Sequence, residues 1–335
     1  MPLASELSVS GAATRGDLLL EVKDLSVEFL GSGSASKAAL VSAVDGVSFE
    51  VRRGETLGIV GETGCGKSTL ARAILRAVRA KQGSVLLHGE DLMPLRGKLR
   101  REKFREIQMI FQDPFGSMDP KWRVRQILRE ALTDGRTSSE VERRIDELLH
   151  LVGLDPSRHG GRRPRELSGG ECQRVAIARA LAVGPEMIIC DEAVSSLDVS
   201  IQAQILNLFV RLRQEFDLSY LFIAHDLTVV KYVSDRVAVM YLGRFGEIGP
   251  SDALYERALH PYTDALLSAV PSTDPKAGRS VVRAIGEPAS PINPPSGCRY
   301  RTRCPRAQEK CALETPVMRE LGPEHFVACH YPLNS

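Results

Sequence analysis

The chain has 335 residues, 43% of them hydrophobic, with 44 Lys+Arg against 42 Asp+Glu. That is apolar material for one large or two modest cores, and a formal net charge of +2 gives no bulk electrostatic reason for a nucleic-acid partner. No stretch approaches the roughly 18–20 apolar residues that span a bilayer, and the opening MPLASELSVSGAATRGD lacks the apolar core of a secretory signal. The sequence is expected to stay in the cytoplasm, with any passage through a membrane left to other chains. Seven cysteines in that reducing compartment argue against disulfides, so their spacing has to be read for other chemistry.

Residues 1–17, rich in Ser, Ala and Gly, read as a flexible tail, and order is expected from Leu18. LLLEVKDLSVEF and VSFEVRRGETLGIVG read as strands joined by a loose connection at Gly31–Ser36. The period then changes: Lys67–Arg79 predicts a helix, SVLLHG a strand, and Arg96–Leu151 a charged, mostly helical stretch around a strand at IQMIFQ. Beyond it come a helix from Ser168 to Val183, a buried strand MIICDE, a helix Ile201–Phe216, a strand LSYLFIAHD and two more in RVAVMYLGRFGEIG. Strand and helix alternate as in a largely parallel sheet with helices on both faces. Past Pro271 the composition shifts to Pro, Gly, Arg and Cys, which marks a boundary; no internal repeat is evident.

Gly61–Thr69, GETGCGKST, fits the phosphate-binding loop pattern and sits between the apolar strand TLGIV and a helix. Gly61, Gly64 and Gly66, with Thr63, Cys65 and Thr69, let the backbone N–H groups wrap phosphates. Lys67 reaches the β- and γ-phosphates of ATP, and the Ser68 hydroxyl ligates Mg2+. Cys65 inside the loop reads as a small uncharged filler. MIICDE is an apolar strand ending in two carboxylates: Asp191 is placed to hold Mg2+ and Glu192 to orient or deprotonate the attacking water. Two acids can also simply begin a helix, but the apolar strand before them favours the site. No NKxD guanine-reading motif is present.

LSGGECQRVAIARAL at Leu167–Leu181 resembles the signature sequence of ABC ATPases, commonly LSGGQ. The resemblance implies that Ser168, Gly169, Gly170 and Glu171 face the nucleotide of an opposite subunit. It makes Gln112 a Q-loop residue near Mg2+, Asp198 part of the D-loop and His225 the switch histidine. Phe29 resembles the aromatic that stacks on adenine, and equally suits a core position. The motifs cover about residues 18–260. The usual Gln of the signature is Glu171 here, which puts a carboxylate where the partner's nucleotide is expected. The implied fold class is α/β: a P-loop ABC ATPase domain with a RecA-like parallel sheet core, an antiparallel β part and a helical insertion at about 96–167, followed by a small Cys-rich C-terminal extension at 261–335.

FQDPFGSMDP, HPYTDALLSAVP and NPPSGCRYRTRCP resemble stretches of the ATPases of dipeptide, oligopeptide and nickel importers. That implies a motor for peptide import at the cytoplasmic face of the inner membrane. It would work with two transmembrane permease subunits, a second homologous ATPase and an extracytoplasmic substrate-binding protein. Nickel or another small solute is the alternative cargo, and a soluble, non-transport ABC ATPase the alternative of another class. Cys298, Cys304, Cys311 and Cys329 read as a metal site. The resemblance implies a 4Fe-4S cluster there, with zinc as the generic alternative and His325 and His330 as possible substitute ligands. Cys172 and Cys190 read as packing residues. The basic runs at Arg158–Arg165 and in RGKLRREKFRE read as solvated or permease-facing surface, with no nucleic acid implied.

Overall fold

The structure is a computed structural model that describes residues 17–30, 40–132, 137–269 and 289–334. The expected tail up to residue 16, the connection at Gly31–Ser36 and the boundary at Pro271 lie outside the described residues. In chain order the elements are β1 (Leu18–Leu30), β2 (Leu40–Arg52), β3 (Thr56–Val60), α1 (Lys67–Ile74), β4 (Gln82–Leu87), β5 (Glu90–Asp91), α2 (Gly97–Glu106), β6 (Ile107–Ile110), α3 (Val124–Ala131), α4 (Ser138–Leu151), α5 (Pro156–His159) and α6 (Gly169–Leu181). There follow β7 (Met187–Asp191), α7 (Val199–Phe216), β8 (Ser219–Ile223), α8 (Leu227–Val233), β9 (Arg236–Tyr241), β10 (Arg244–Pro250), α9 (Ser251–Glu256), α10 (Pro261–Ser268), α11 (Glu309–Leu313), β11 (Arg319–Gly322) and β12 (His325–Val327).

The chain divides into two units, one holding Arg52–Glu55 and Leu95–Phe222, the other Leu18–Val51, Thr56–Pro94 and Ile223–Ser335. In the first, strands run in the order β8-β7-β6, with β6 and β7 parallel from Ile107 opposite Met187 to Ile110 opposite Cys190. Every residue of β7 is buried, as expected for the unbroken apolar run MIICD. Cys172 and Cys190 are fully buried, and burial pushes the Cys172 thiol up to about 12, so both behave as core atoms. The stretch 96–167 is helical around β6. Thr137 and Glu140 cap α4 reciprocally, and Arg125 on α3 reaches Glu142 and Asp146 on α4, each at 2.6 Å. Single exposed ion pairs add little; the pair of contacts from one guanidinium mainly fixes how the two helices pack.

The second unit carries a four-stranded sheet in the order β2-β1-β4-β5, and strands in the order β11-β12-β10-β9-β3. β3 and β9 are parallel from Leu57 opposite Arg236 to Val60 opposite Val239, and β9 turns into β10 through Leu242 and Gly243, whose φ values are 44 and 81. Two consecutive left-handed residues make the tight hairpin that suits strand twist, at some cost for Leu242. Neighbours hold that turn: Gly243 N–H donates to the Cys65 carbonyl at 2.7 Å, Asp45 N–H donates to the Gly243 carbonyl at 2.9 Å, and Arg299 donates to the Leu242 carbonyl.

Two features depart from the sequence reading. The helix predicted over Lys67–Arg79 stops at Ile74, because Arg76 takes a left-handed φ of 55 and its guanidinium donates to the Leu92 carbonyl at 3.0 Å. The last residues also carry two strands that no local pattern announces. β12 pairs with β10, Glu247 opposite Val327, and β11 pairs with β12. At four and three residues these strands are too short for an alternation to be read, and partners far away in sequence make them strands.

Candidate functional site

The phosphate loop lies in the second unit, where two close approaches and one left-handed backbone angle explain its glycines. A Cβ on Gly61 would meet the Met240 carbonyl oxygen at 2.1 Å, and one on Gly66, at φ 111, would meet the Ala43 carbonyl oxygen at 2.1 Å. Gly64 has open space around it but a φ of 79. Cys65 is buried beneath the loop with its thiol pushed up by burial, which fits the filler reading. Lys67, 4% exposed, opens α1, and its ammonium donates to the loop's own carbonyls, Gly61 at 2.7 Å and Glu62 at 3.1 Å. A buried ammonium needs such acceptors, and here they hold the cation among the backbone atoms expected to wrap phosphates. Thr63 is exposed, Ser68 and Thr69 half-buried in the first turn of α1. Phe29, in the same unit near the end of β1, is 39% exposed, too open for a core ring, and His225 is exposed at the bend between β8 and α8.

The acidic strand end lies in the first unit. Asp191 is 3% exposed at the last residue of β7. Glu192 follows with φ 51, a left-handed conformation that costs a non-glycine residue on the order of 1 kcal/mol. Its carbonyl accepts from Ser195 N–H at 3.1 Å and from the Ser195 hydroxyl at 2.9 Å, which fixes the turn, and its carboxylate accepts from the Gln112 amide at 2.9 Å. The structure thus brings Gln112 and Glu192 together; Asp198 caps α7 through its backbone, its carbonyl accepting from Gln202 N–H at 2.8 Å.

The signature turn also belongs to the first unit. Ser168 is the N-cap of α6: its hydroxyl accepts from Glu171 N–H at 3.3 Å, while the Glu171 carboxylate accepts from Ser168 N–H at 2.8 Å. The other Glu171 oxygen lies 3.1 Å from His159 Nε2. The Ser168 N–H, then the His159 contact, hold the carboxyl below its usual range, so Glu171 is ionised and turned back onto its own helix start. Gly169 and Gly170 open the helix; a Cβ on Gly170 would meet Ile201 Cγ2 at 2.5 Å, so α6 and α7 approach closely only without a side chain there.

Residues 44–195 match the ABC transporter family, and residues 247–311 match the C-terminal region of oligopeptide/dipeptide transporters. The oligopeptide transport ATP-binding protein AppF of Bacillus subtilis (strain 168) is 49% identical over 325 residues, covering 95% of this chain and 98% of its own. The chain belongs to the oligopeptide-type ABC transporter ATP-binding proteins. OppF of Escherichia coli (strain K12), another oligopeptide transport ATP-binding protein, is 48% identical over 95% of this chain and 98% of its own. Among solved structures, cbiO1 of Clostridium perfringens, part of the ABC transporter complex cbiONQ, superposes with a TM-score of 0.62 at 26% identity, covering 72% of this chain and 91% of that one. The α/β fold expected from the motifs is therefore the observed one.

In this ABC protein the region after β10 carries a second constellation, within the second unit; three of its cysteines lie inside the C-terminal match and Cys329 beyond it. Cys298, Cys304, Cys311 and Cys329 are free thiols that line one small cavity. Cys298 N–H donates to the Cys311 carbonyl at 2.8 Å, which ties two of them together. Arg301 and Arg306 line the same cavity, as does Tyr300, whose buried hydroxyl has no hydrogen-bond partner among the described residues. His330 lines it too, with Nε2 3.0 Å from the Glu314 carbonyl. His325 does not: its Nε2 sits 2.7 Å from the carboxylate of the fully buried Glu247, so it is not placed as a substitute ligand.

The HPY triplet has a structural reason that the sequence alone does not give. His260 accepts from Tyr262 N–H at 3.0 Å and caps α10, with Pro261 at the first helical position. Glu247 accepts from the N–H groups of Leu259 and His260, both at 2.8 Å. Burial holds His260 down at about 4 against a weaker opposing pull from Glu247, so the ring is neutral. Arg299 and Arg303, which lie between Cys298 and Cys304, turn inward. Arg299 pairs with Asp45, and Arg303 donates to both Glu62 oxygens, at 2.9 and 2.8 Å.

Proposed function

We propose that the chain is the ATP-hydrolysing motor of a peptide importer, working at the cytoplasmic face of the membrane. It would pair with two permease subunits and a second ATPase, and be supplied from outside by a substrate-binding protein. The observation that carries this is near end-to-end likeness to oligopeptide transport ATP-binding proteins, including the region after β10. Among the described residues no helix is long and apolar enough to cross a membrane, consistent with a motor that acts through other chains. Functionally, 18–260 would form the nucleotide-binding domain and 261–335 its extension.

In the mechanism, Lys67 leaves the Gly61 and Glu62 carbonyls to reach the β- and γ-phosphates of ATP, which the loop N–H groups bind. Ser68, Gln112 and Asp191 would hold Mg2+, which neutralises developing charge on the phosphates. Glu192 orients and deprotonates the attacking water, with Gln112 reporting whether its carboxylate is engaged; His225 contacts the γ-phosphate and Phe29 stacks on adenine. Ser168, Gly169, Gly170 and Glu171, with Asp198, face the nucleotide of the second ATPase. Because Glu171 is turned onto Ser168 N–H and His159, its charge is spent within its own helix start. ATP binding closes the pair of ATPases and hydrolysis reopens it.

For the extension the proposed group is a 4Fe-4S cluster: Cys298, Cys304, Cys311 and Cys329 line one cavity and would supply its thiolates, and Arg301 and Arg306, which line it too, would offset their charge. When bound, the cluster would lock the Cys298–Cys304 turn to α11 and to the chain after β12. Zinc is the alternative. Iron, sulfide and zinc analysis of anaerobically purified protein separates the two, and stoichiometric zinc in a colourless preparation removes the cluster reading. For the motor reading the test is uptake of labelled di- and oligopeptides, with nickel in parallel, in cells carrying Glu192→Gln at the native locus. Peptide uptake is expected to stop with nickel uptake unchanged; loss of nickel uptake alone would move the cargo assignment.

A further inference from the structure

Two residues of the cysteine-bearing extension converge on one residue of the phosphate loop. Glu62, the first position after Gly61, has all its polar groups occupied. Its N–H donates to the Tyr262 hydroxyl at 2.9 Å, its carboxylate accepts from Arg303 at 2.9 and 2.8 Å, and its carbonyl accepts from Lys67 at 3.1 Å and from Cys65 N–H at 3.2 Å. Both distant partners are themselves held. Arg303, 7% exposed, lies over the rings of Tyr241 and Tyr300, 5.9 Å from each centroid, and precedes the cavity residue Cys304. Tyr262, 1% exposed, packs on Tyr241 at 4.7 Å and on Tyr300 at 5.2 Å. Burial alone would pull the Arg303 guanidinium down, but the hydrogen bonds to Glu62 and the Tyr241 hydroxyl hold it above its usual range.

The Arg303 side chain is 8% exposed and that of Glu62 28%, so the guanidinium is the charge that is costly to leave unpaired, and its two hydrogen bonds tie the position of Glu62 to it. A Gly-rich loop has little of its own to fix it; most of what fixes this one at Glu62 comes from the extension. We infer that Arg303 and Tyr262 are positioning residues for ATP, by which the C-terminal extension clamps the phosphate loop of its own chain and keeps the Lys67 ammonium poised among its carbonyls. This rests on the ATP-binding reading of the loop, and not on what fills the cysteine cavity.

The test is equilibrium titration of the purified full chain with ATP and magnesium, alongside thermal unfolding, for Arg303→Ala, Arg303→Lys, Tyr262→Phe, Glu62→Gln and the Arg303→Ala/Glu62→Gln pair. Arg303→Ala is expected to weaken ATP binding about tenfold and Tyr262→Phe about threefold. Arg303→Lys should recover part of the loss, and the pair should be no worse than its poorer single variant. A lowered Tm with unchanged ATP affinity in Arg303→Ala would overturn the inference, as would strictly additive losses in the pair. Should Arg303→Ala fail to fold, Tyr262→Phe decides, since it keeps the ring and removes one hydroxyl; unchanged affinity there also overturns it. Lys67→Ala separates the two levels. If it binds ATP normally, the phosphate-site reading fails; if it loses ATP while Arg303→Ala and Tyr262→Phe do not, only the clamp fails.

Discussion

The phosphate loop and the signature turn are both glycine-rich turns that open a helix, yet they are held in place in opposite ways. The signature turn fixes itself: Ser168 and Glu171 cap α6 reciprocally three residues apart, and His159 supports Glu171 from twelve residues away. The phosphate loop is fixed by segments remote in the chain, through the carbonyls of Ala43 and Met240, the N–H of Gly243, Tyr262 and Arg303. A self-capped turn survives the loss of any one distant contact. A loop held from outside can be loosened or tightened by whatever moves its supports, which suits the element that must change when nucleotide enters and leaves.

The sharpest way to break this comparison is Gly66→Ala. The new Cβ must adopt φ 111 and sit 2.1 Å from a backbone carbonyl that cannot swing aside. Strain and overlap together come to about 4 kcal/mol, so ATP affinity should fall about a thousandfold in a nucleotide titration. Retained affinity would mean that the loop is not fixed by its outside contacts. Next in size is a pH effect confined to the supports of the phosphate loop. His260 is held down at about 4 from an ordinary 6.5 by burial, so between those values the unfolded chain takes a proton that the folded one refuses. Stability is then fully present above pH 6.5 and falls as the pH drops towards 4, by about 3 kcal/mol at the bottom. His260→Asn keeps a capping side chain without the proton, and urea unfolding across that range should show a flatter acid limb than the parent. Third is Gly170→Ala, which sets a methyl 2.5 Å from Ile201 Cγ2, a side-chain atom that can yield. About 2 kcal/mol of unfolding free energy should go, with the chain's own ATP affinity intact.

What the sequence discloses follows the same division. GETGCGKST, the acid-ended apolar strand and LSGGE are each local, and each is found on the element expected of it, because their chemistry needs residues a few positions apart. The capping box is equally readable, as Ser and Glu at that spacing announce a helix start. Arg303 and Tyr262 carry no such mark: they are 241 and 200 residues from Glu62, and an arginine between cysteines or a tyrosine after a proline has many uses. The two short strands of the extension are hidden for the same reason, as is the early end of α1, since Arg76 turns away to meet Leu92 and not because of any helix-breaking residue. Pairing between distant segments decides these features, and a single sequence does not record pairs.

Glu171→Gln should have the smallest effect, and it is the cleanest check on the self-held turn. A glutamine offers the same carbonyl oxygen to Ser168 N–H, so the cap survives; what goes is the charge, which favours the positive end of α6 and the His159 contact. Both terms act at a side chain about a quarter exposed, where solvent screens them, so the loss of stability should be below about 0.5 kcal/mol. The functional sign is the informative part. If the Glu171 charge is spent inside its own helix start, the glutamine variant should hydrolyse ATP in the assembled transporter within about twofold of the parent. A large gain in turnover would mean that the carboxylate acts against the phosphates of the opposite nucleotide after all, and that this turn answers to a partner as much as the phosphate loop does.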